Sequence, residues 1–178
     1  MSVKNNKLSK AIFFDRDGVL IHAPVKNGIP KSSKTLNDIK LSEEIENVCN
    51  FYKTQFKLIM ITNQPDVTRG ENTKSNVDEI NNYIKKKLQL DKIYVCYCDN
   101  DSCPNRKPNP GMILKAKHFF NIDLAESYVV GDRWRDIDAG YNAGCKTILI
   151  NRNYSENLNF KPDFLITSLI DLFNIIKK

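Results

Sequence analysis

Apolar runs too short to be helices alternate along the chain with longer stretches in which apolar residues recur every three or four positions. The short runs predict strands over Lys10–Phe14, Lys57–Thr62, Ile93–Tyr97, Ser127–Val130 and Lys146–Ile150, with a sixth over Asp163–Ile166. The periodic stretches predict helices over Ser42–Thr54, Thr73–Leu90, Gly111–Asn121, Arg135–Ala143 and Ser168–Lys177. Two of these carry start signals: Ser42 precedes Glu43 and Glu44, and Pro110-Gly111 puts proline near a first turn. Strand then helix, repeated, is the pattern of an α/β protein whose parallel sheet is wound with helices on both faces. Leu20–Leu41 holds prolines, glycine and lysines without a clear period, so it is expected to be a loop or small flap.

Composition narrows the picture. A chain of 178 residues, 41% of them hydrophobic, fits one packed domain over residues 1–178. No apolar stretch approaches the roughly 20 residues that span a bilayer. Met1–Lys10 is polar and lacks the apolar core of a signal peptide, so a cytoplasmic protein with no membrane partner is expected. The formal charge of +6 suits anionic ligands, but only Lys85-Lys86-Lys87 and Lys177-Lys178 cluster, and a solvated surface accounts for most lysines. A nucleic-acid end-processing or binding module is disfavoured, because neither a Walker A loop nor a basic stripe interleaved with aromatics is present. The five cysteines are poor disulfide arithmetic for such a chain. Cys49 and Cys145 read as small buried hydrophobes, whereas Cys96, Cys98 and Cys103 crowd into one segment.

In a sheet of this kind ligands bind beyond the carboxyl ends of the strands, and the chemistry-bearing residues gather there. Asp15-Arg16-Asp17-Gly18 follows the first strand. One of its aspartates can attack phosphorus, and the other, two positions on, can protonate the departing oxygen and then deprotonate water. A carboxylate and a backbone carbonyl of this turn would supply part of an octahedral Mg²⁺ shell. A calcium loop is the competing reading, but Val19 stands where a further oxygen ligand belongs. Thr62, with Asn63 and Gln64, ends the second strand and can hydrogen-bond a phosphoryl oxygen, although a local cap is its ordinary role. Lys107, ahead of Pro108, can neutralise charge shared by phosphate and nucleophile. Asp132, after Tyr128-Val129-Val130-Gly131, is a third acidic candidate for Mg²⁺. Asp136 lies one turn later, where helix N-terminal electrostatics is its plain role.

These four segments, in this order, resemble the motifs of the haloacid dehalogenase (HAD) superfamily of aspartyl phosphatases over nearly the whole chain. The resemblance implies a Rossmann-like fold, Asp15 as nucleophile, Asp17 as general acid and base, and Thr62 and Lys107 as phosphoryl stabilisers. It also implies Mg²⁺ held by Asp15, the Asp17 carbonyl and Asp132. Thr62-Asn63-Gln64, Val67-Thr68-Arg69-Gly70 and Arg106-Lys107-Pro108-Asn109-Pro110-Gly111-Met112 look like the histidinol-phosphatase and heptose 1,7-bisphosphate phosphatase branch, which lacks a large cap domain. The resemblance to that branch implies Asn63 and Arg106 at the substrate, and removal of the 7-phosphate of D-glycero-D-manno-heptose 1,7-bisphosphate. Histidinol-phosphate hydrolysis is the alternative. A small phosphorylated sugar is the one expected partner, and a monomer the expected state. The branch also carries a zinc loop, and here the chain departs from it. Cys96-Tyr97-Cys98 puts cysteine where histidine is expected, and Cys103-Pro104-Asn105 puts asparagine at the fourth ligand. Cys96, Cys98 and Cys103 thus make an incomplete site for structural Zn²⁺, with Asp99, Asp101 or water to complete it.

Overall fold

A computed structural model describes residues 8–26 and 28–177. Its eight strands are β1 (Lys10–Phe14), β2 (Val25–Lys26), β3 (Ile29–Pro30), β4 (Phe56–Asn63), β5 (Lys92–Cys96), β6 (Tyr128–Gly131), β7 (Lys146–Ile150) and β8 (Phe164–Ile166). The helices are α1 (Ile45–Tyr52), α2 (Lys74–Leu88), α3 (Gly111–Phe120), α4 (Trp134–Ala143) and α5 (Leu172–Ile175). Six strands form one sheet in the order β5-β4-β1-β6-β7-β8, with every neighbouring pair parallel. Strand order reverses about β1, which is flanked by β4 and β6, and that is where a crevice opens in a doubly wound sheet.

Alternation along the central strands builds the two sides of the core. Ile12, Phe14, Leu58, Met60 and Val130 pack with Val48 and Tyr52 of α1, Ile80 and Ile84 of α2, and Leu172 of α5. Ala11, Phe13, Ile59, Ile61 and Val129 face the other way, onto Met112, Ile113 and Ala116 of α3 and Ala139 of α4. The result is a three-layer α/β/α arrangement with the sheet buried on both faces.

The expected strands and helices are present, with three local differences. The first predicted helix starts late: the Ser42 backbone N–H bonds Leu20 O at 3.0 Å, Glu44 takes a left-handed φ of 67°, and α1 begins at Ile45. The last predicted helix divides into a 3-10 turn over Leu169–Asp171 and the short α5, because Asp171 folds back onto the Ser168 N–H. The aperiodic Leu20–Leu41 stretch contains the antiparallel β2–β3 pair and a 3-10 turn at Leu36–Asp38, which makes it a small flap. That flap and α1 are all that separates β1 from β4, so no large cap is inserted there. Among the described residues no helix is long and apolar enough to cross a membrane.

Candidate active site

Asp15 extends the sheet by one residue, its N–H bonding Val130 O at 3.0 Å, and the chain then turns sharply so that the N–H groups of Leu20 and Ile21 both reach Arg16 O. Gly18 makes that turn possible with φ +92°; a Cβ on it would stand 1.8 Å from Asp132 Oδ2. The first and third acidic segments are therefore packed against one another at the ends of β1 and β6. Carboxylate oxygens of Asp15, Asp132 and Asp136 lie within 4.8 Å of one another.

Lys107 enters this group from the loop after β5. Its buried ammonium donates to Asp15 Oδ1 at 2.6 Å, Asp136 Oδ1 at 2.6 Å and Ile61 O at 3.0 Å. Burial disfavours its charge, but the Asp136 and Asp15 carboxylates outweigh that and hold its pKa above the ordinary lysine value. Burial raises the Asp15 pKa, the Lys107 ammonium opposes the rise, and Asp136 adds to it. The Asp132 carboxyl is pushed well above the usual range by burial and by the charges of Asp15 and Asp136. Both of its oxygens are buried, and the Tyr154 hydroxyl lies close enough to offset part of that rise, without a well-formed hydrogen bond to either. A hard divalent cation would satisfy that carboxylate and offset the surplus of negative charge, so the donor set fits Mg²⁺.

Thr62 and Asn63, at the end of β4, are placed by different bonds. The Thr62 hydroxyl accepts from Gln64 Nε2 at 2.9 Å, which leaves its own hydrogen to donate toward the cleft. The Asn63 amide is spent on the Lys107 backbone, donating to its carbonyl at 2.9 Å and accepting from its N–H at 3.0 Å, so that Asn63 braces Lys107. Asp17 is half-buried at the cleft wall, and its carboxylate accepts from Arg16, Gln64 and the Ser33 N–H of the flap. Asp136 combines its two roles: Oδ1 holds Lys107, and Oδ2 accepts from the Arg133 N–H at the start of α4.

Asp15, Asp17, Thr62, Asn63, Lys107 and Asp136 line a single open cleft, bounded on one side by Pro30, Lys31 and Ser32 of the flap. Arg106 is not among its lining residues. Its guanidinium instead donates to Asp101 Oδ1 at 2.9 Å and Cys98 O at 2.8 Å, drawn into the cysteine loop by a carboxylate five positions earlier. Besides Lys107, the cations that line the cleft are Lys31, Arg133 and Arg135. Arg133 is paired with Glu156, and Arg135 lies over the Trp134 ring, 4.5 Å from its centroid, while donating to Asp101. Both arginines follow Asp132 at a strand end, which was their one signal in the sequence; Lys31, in an aperiodic loop, had none.

The Cys96, Cys98 and Cys103 thiols converge, with Cys96 Sγ 3.8 Å from Cys103 Sγ. Asp99 and Asp101 are occupied elsewhere, Asp99 by Arg69 at 2.7 Å and Asp101 by Arg106 and Arg135. Cys49 and Cys145 are buried as expected, with burial pushing both thiols up to about 12.

Known proteins resemble the chain in sequence and in fold. A family model described as HAD-hydrolase-like matches residues 104–172. The D-glycero-alpha-D-manno-heptose-1,7-bisphosphate 7-phosphatase of Campylobacter jejuni is 32% identical over 172 residues, 93% of this chain and 96% of that protein. The D-glycero-beta-D-manno-heptose-1,7-bisphosphate 7-phosphatase of Escherichia coli K12 is 30% identical over 94% of each chain. The crystal structure of D,D-heptose 1,7-bisphosphate phosphatase from B. bronchiseptica, complexed with magnesium and phosphate, superposes with a TM-score of 0.78 at 23% identity, covering 93% of this chain and 97% of that one. The chain belongs to the haloacid dehalogenase superfamily of phosphatases, in the family of these heptose-bisphosphate enzymes. It is a phosphoric monoester hydrolase.

Proposed function

We propose that the protein hydrolyses the 7-phosphate of D-glycero-D-manno-heptose 1,7-bisphosphate through an aspartyl-phosphate on Asp15. The observation that carries this reading is the buried Lys107 ammonium bridging Asp15 and Asp136 at the floor of the cleft. The ammonium opposes the rise that burial imposes on the Asp15 pKa and faces the charge of an incoming phosphoryl group. As the Asp15 oxygen bonds to phosphorus and the ester bond breaks, Asp17 gives its proton to the sugar oxygen. Asp17 then takes a proton from the water that opens the acyl phosphate. Thr62 donates to a phosphoryl oxygen. Asp15, the Asp17 carbonyl and Asp132 would hold Mg²⁺, which supplies charge stabilisation to the phosphoryl group when bound.

Substrate choice is assigned to the rim. Lys31, Arg133 and Arg135, the last two paired with Glu156 and Asp101, offer donors that suit a second phosphate, whereas the histidinol ammonium is itself only a donor and would find no acceptor in these three side chains. Cys96, Cys98 and Cys103 are proposed as ligands of a structural Zn²⁺ with water as the fourth, since Asp99 and Asp101 are committed to arginines.

A phosphate-release screen over phosphorylated sugars, including both anomers of the heptose bisphosphate, and over histidinol phosphate tests the reading. Heptose bisphosphate is expected to lead, and Asp15→Asn to abolish turnover in a folded protein; wild-type release by that variant would end the aspartyl-phosphate mechanism. Arg135→Ala is expected to lower kcat/KM for the bisphosphate about tenfold or more, as loss of one charged contact does, and to spare a small aryl phosphate. Equal losses on both would remove Arg135 from recognition.

A further inference from the structure

Arg16, between the two aspartates of the first motif, is fully buried, yet it has no part in the reaction as described above. An arginine is seldom fully buried unless something pairs it, and here the partners are specific. Nε and Nη2 grip the Asp17 carboxylate, at 3.0 Å to Oδ2 and 3.3 Å to Oδ1. Nη2 also donates to Gln64 Oε1 at 2.8 Å, and Nη1 to Asn81 Oδ1 on α2 at 3.1 Å.

The Gln64 contact has a consequence for its amide. With Oε1 turned to the guanidinium, Nε2 must face the other way, and it donates to both Asp17 Oδ2 and Thr62 Oγ1, each at 2.9 Å. A guanidinium has donors only, so it can bind the oxygen end of that amide and not the nitrogen end. Arg16 therefore fixes Asp17 twice, by its own fork and by setting which end of Gln64 meets the acid. The same amide ties the acid to the phosphoryl-binding threonine.

We infer that Arg16, acting with Gln64, is a positioning residue that holds the Asp17 carboxyl where it can deliver a proton to the leaving oxygen. The inference rests on the proposed role of Asp17 as general acid. A plain structural tie between the first motif and α2 would make the same bonds, so the test must read proton delivery itself.

Leaving groups separate the two. An alkyl phosphate needs a proton on its departing oxygen, whereas p-nitrophenolate leaves without one, and kcat/KM reports only the steps through formation of the acyl phosphate. Purified Gln64→Ala and Arg16→Lys, checked for wild-type circular dichroism and melting behaviour, would be assayed on the best sugar phosphate and on p-nitrophenyl phosphate. The expected result is a fall in kcat/KM at least about tenfold larger on the sugar phosphate than on the aryl ester, part of the roughly 10²- to 10⁴-fold that general acids supply, with any loss common to both substrates reporting the Gln64 bond to Thr62. Arg16→Lys keeps the charge but not the fork, so it is expected to follow the same pattern. If Arg16→Lys fails to fold, Gln64→Ala decides alone. Equal losses on both substrates, or no loss on either, would overturn the inference. Asp17→Asn is the control: should it too lose activity equally on both substrates, the acid assignment itself falls, and the positioning role with it. A deficit in Asp17→Asn on the sugar phosphate only, absent from the other two variants, would remove Arg16 and Gln64 while leaving the acid in place.

Discussion

At Gly131 the absence of one methyl group sets where the Lys107 ammonium is held. A Cβ there would lie 2.0 Å from Asp136 Cβ and 2.6 Å from its Oδ2, so alanine must push Asp136 back and deprive Lys107 of one of its two carboxylates. Gly131→Ala is expected to cut kcat/KM about 100-fold, the order that a displacement of about 1 Å costs, and to cost about 1–3 kcal/mol of stability from overpacking. Steady-state kinetics beside urea denaturation checks both, and near-wild-type turnover would show that Asp136 does not set the ammonium. Residues like these divide into the legible and the hidden. Asp15, Asp17, Thr62, Lys107 and Asp132 could be picked out because each follows an apolar run or stands in an ordered motif. The direction of a side chain could not be read in the same way. Arg106 adjoins Lys107 in sequence yet is taken by Asp101 and Cys98 O, and Asn63 spends its amide on a backbone 44 positions away. Both depend on long-range partners that no local spacing reveals.

Elements were more legible than side chains, because period and punctuation are local. The strand and helix pattern emerged from alternation alone, and the exceptions lie where distant segments touch. Glu44 closes the turn before α1 and also accepts from Ser168 Oγ at 2.7 Å, coupling a helix start to a turn 124 positions later. The aperiodic stretch folds as the antiparallel β2–β3 flap and is tied to the site by its Ser33 N–H, which reaches Asp17 Oδ1 at 3.3 Å. The cysteine loop shows the same division: its crowding of thiols is visible in sequence, but the occupation of Asp99 and Asp101 by Arg69, Arg106 and Arg135 is not. If zinc with one water fills the thiol trio, elemental analysis of purified protein is expected to give about one equivalent. A Cys96→Ser/Cys103→Ser variant should lose the metal and melt at lower temperature. Metal-free wild-type protein that melts no lower than zinc-reconstituted protein would show that the three arginine–aspartate pairs hold the loop alone.

Across the whole molecule the sheet order brings the ends of β1 and β6 together and sets the Asp15, Asp132 and Asp136 carboxylates in a buried cluster around one hydrogen-bonded ammonium. That concentration of charge has a cost that pH can reveal. The folded-state pKa values of Asp15 and Asp132 are raised, by burial first and then by neighbouring carboxylates, so the native state binds protons that the unfolded chain has released. The stability these two groups contribute is fully present below the unfolded value of about 4 and is lost as pH rises through their raised folded values. Asp99 and Asp101 run the opposite way. Arg69 lowers the first, and Arg135 and Arg106 lower the second to about 2, so their contribution is lost only as pH falls well below 5. Protein stripped with EDTA is therefore expected to melt at a higher temperature at pH 5 than at pH 7.5. Asp132→Asn, which removes one carboxylate and keeps its shape, should flatten that difference and melt above the stripped wild type at pH 7.5, although it is expected to be inactive. Mg²⁺ at about 100 times its dissociation constant should add about 2.7 kcal/mol to the wild type by mass action and little to the variant. Calorimetry at the two pH values, with and without Mg²⁺, measures all of this. A melting temperature that stays level or rises from pH 5 to pH 7.5 in EDTA would show that Asp15 and Asp132 do not hold raised pKa values, and equal stabilisation of wild type and Asp132→Asn by Mg²⁺ would show that Asp132 is not in the cation site.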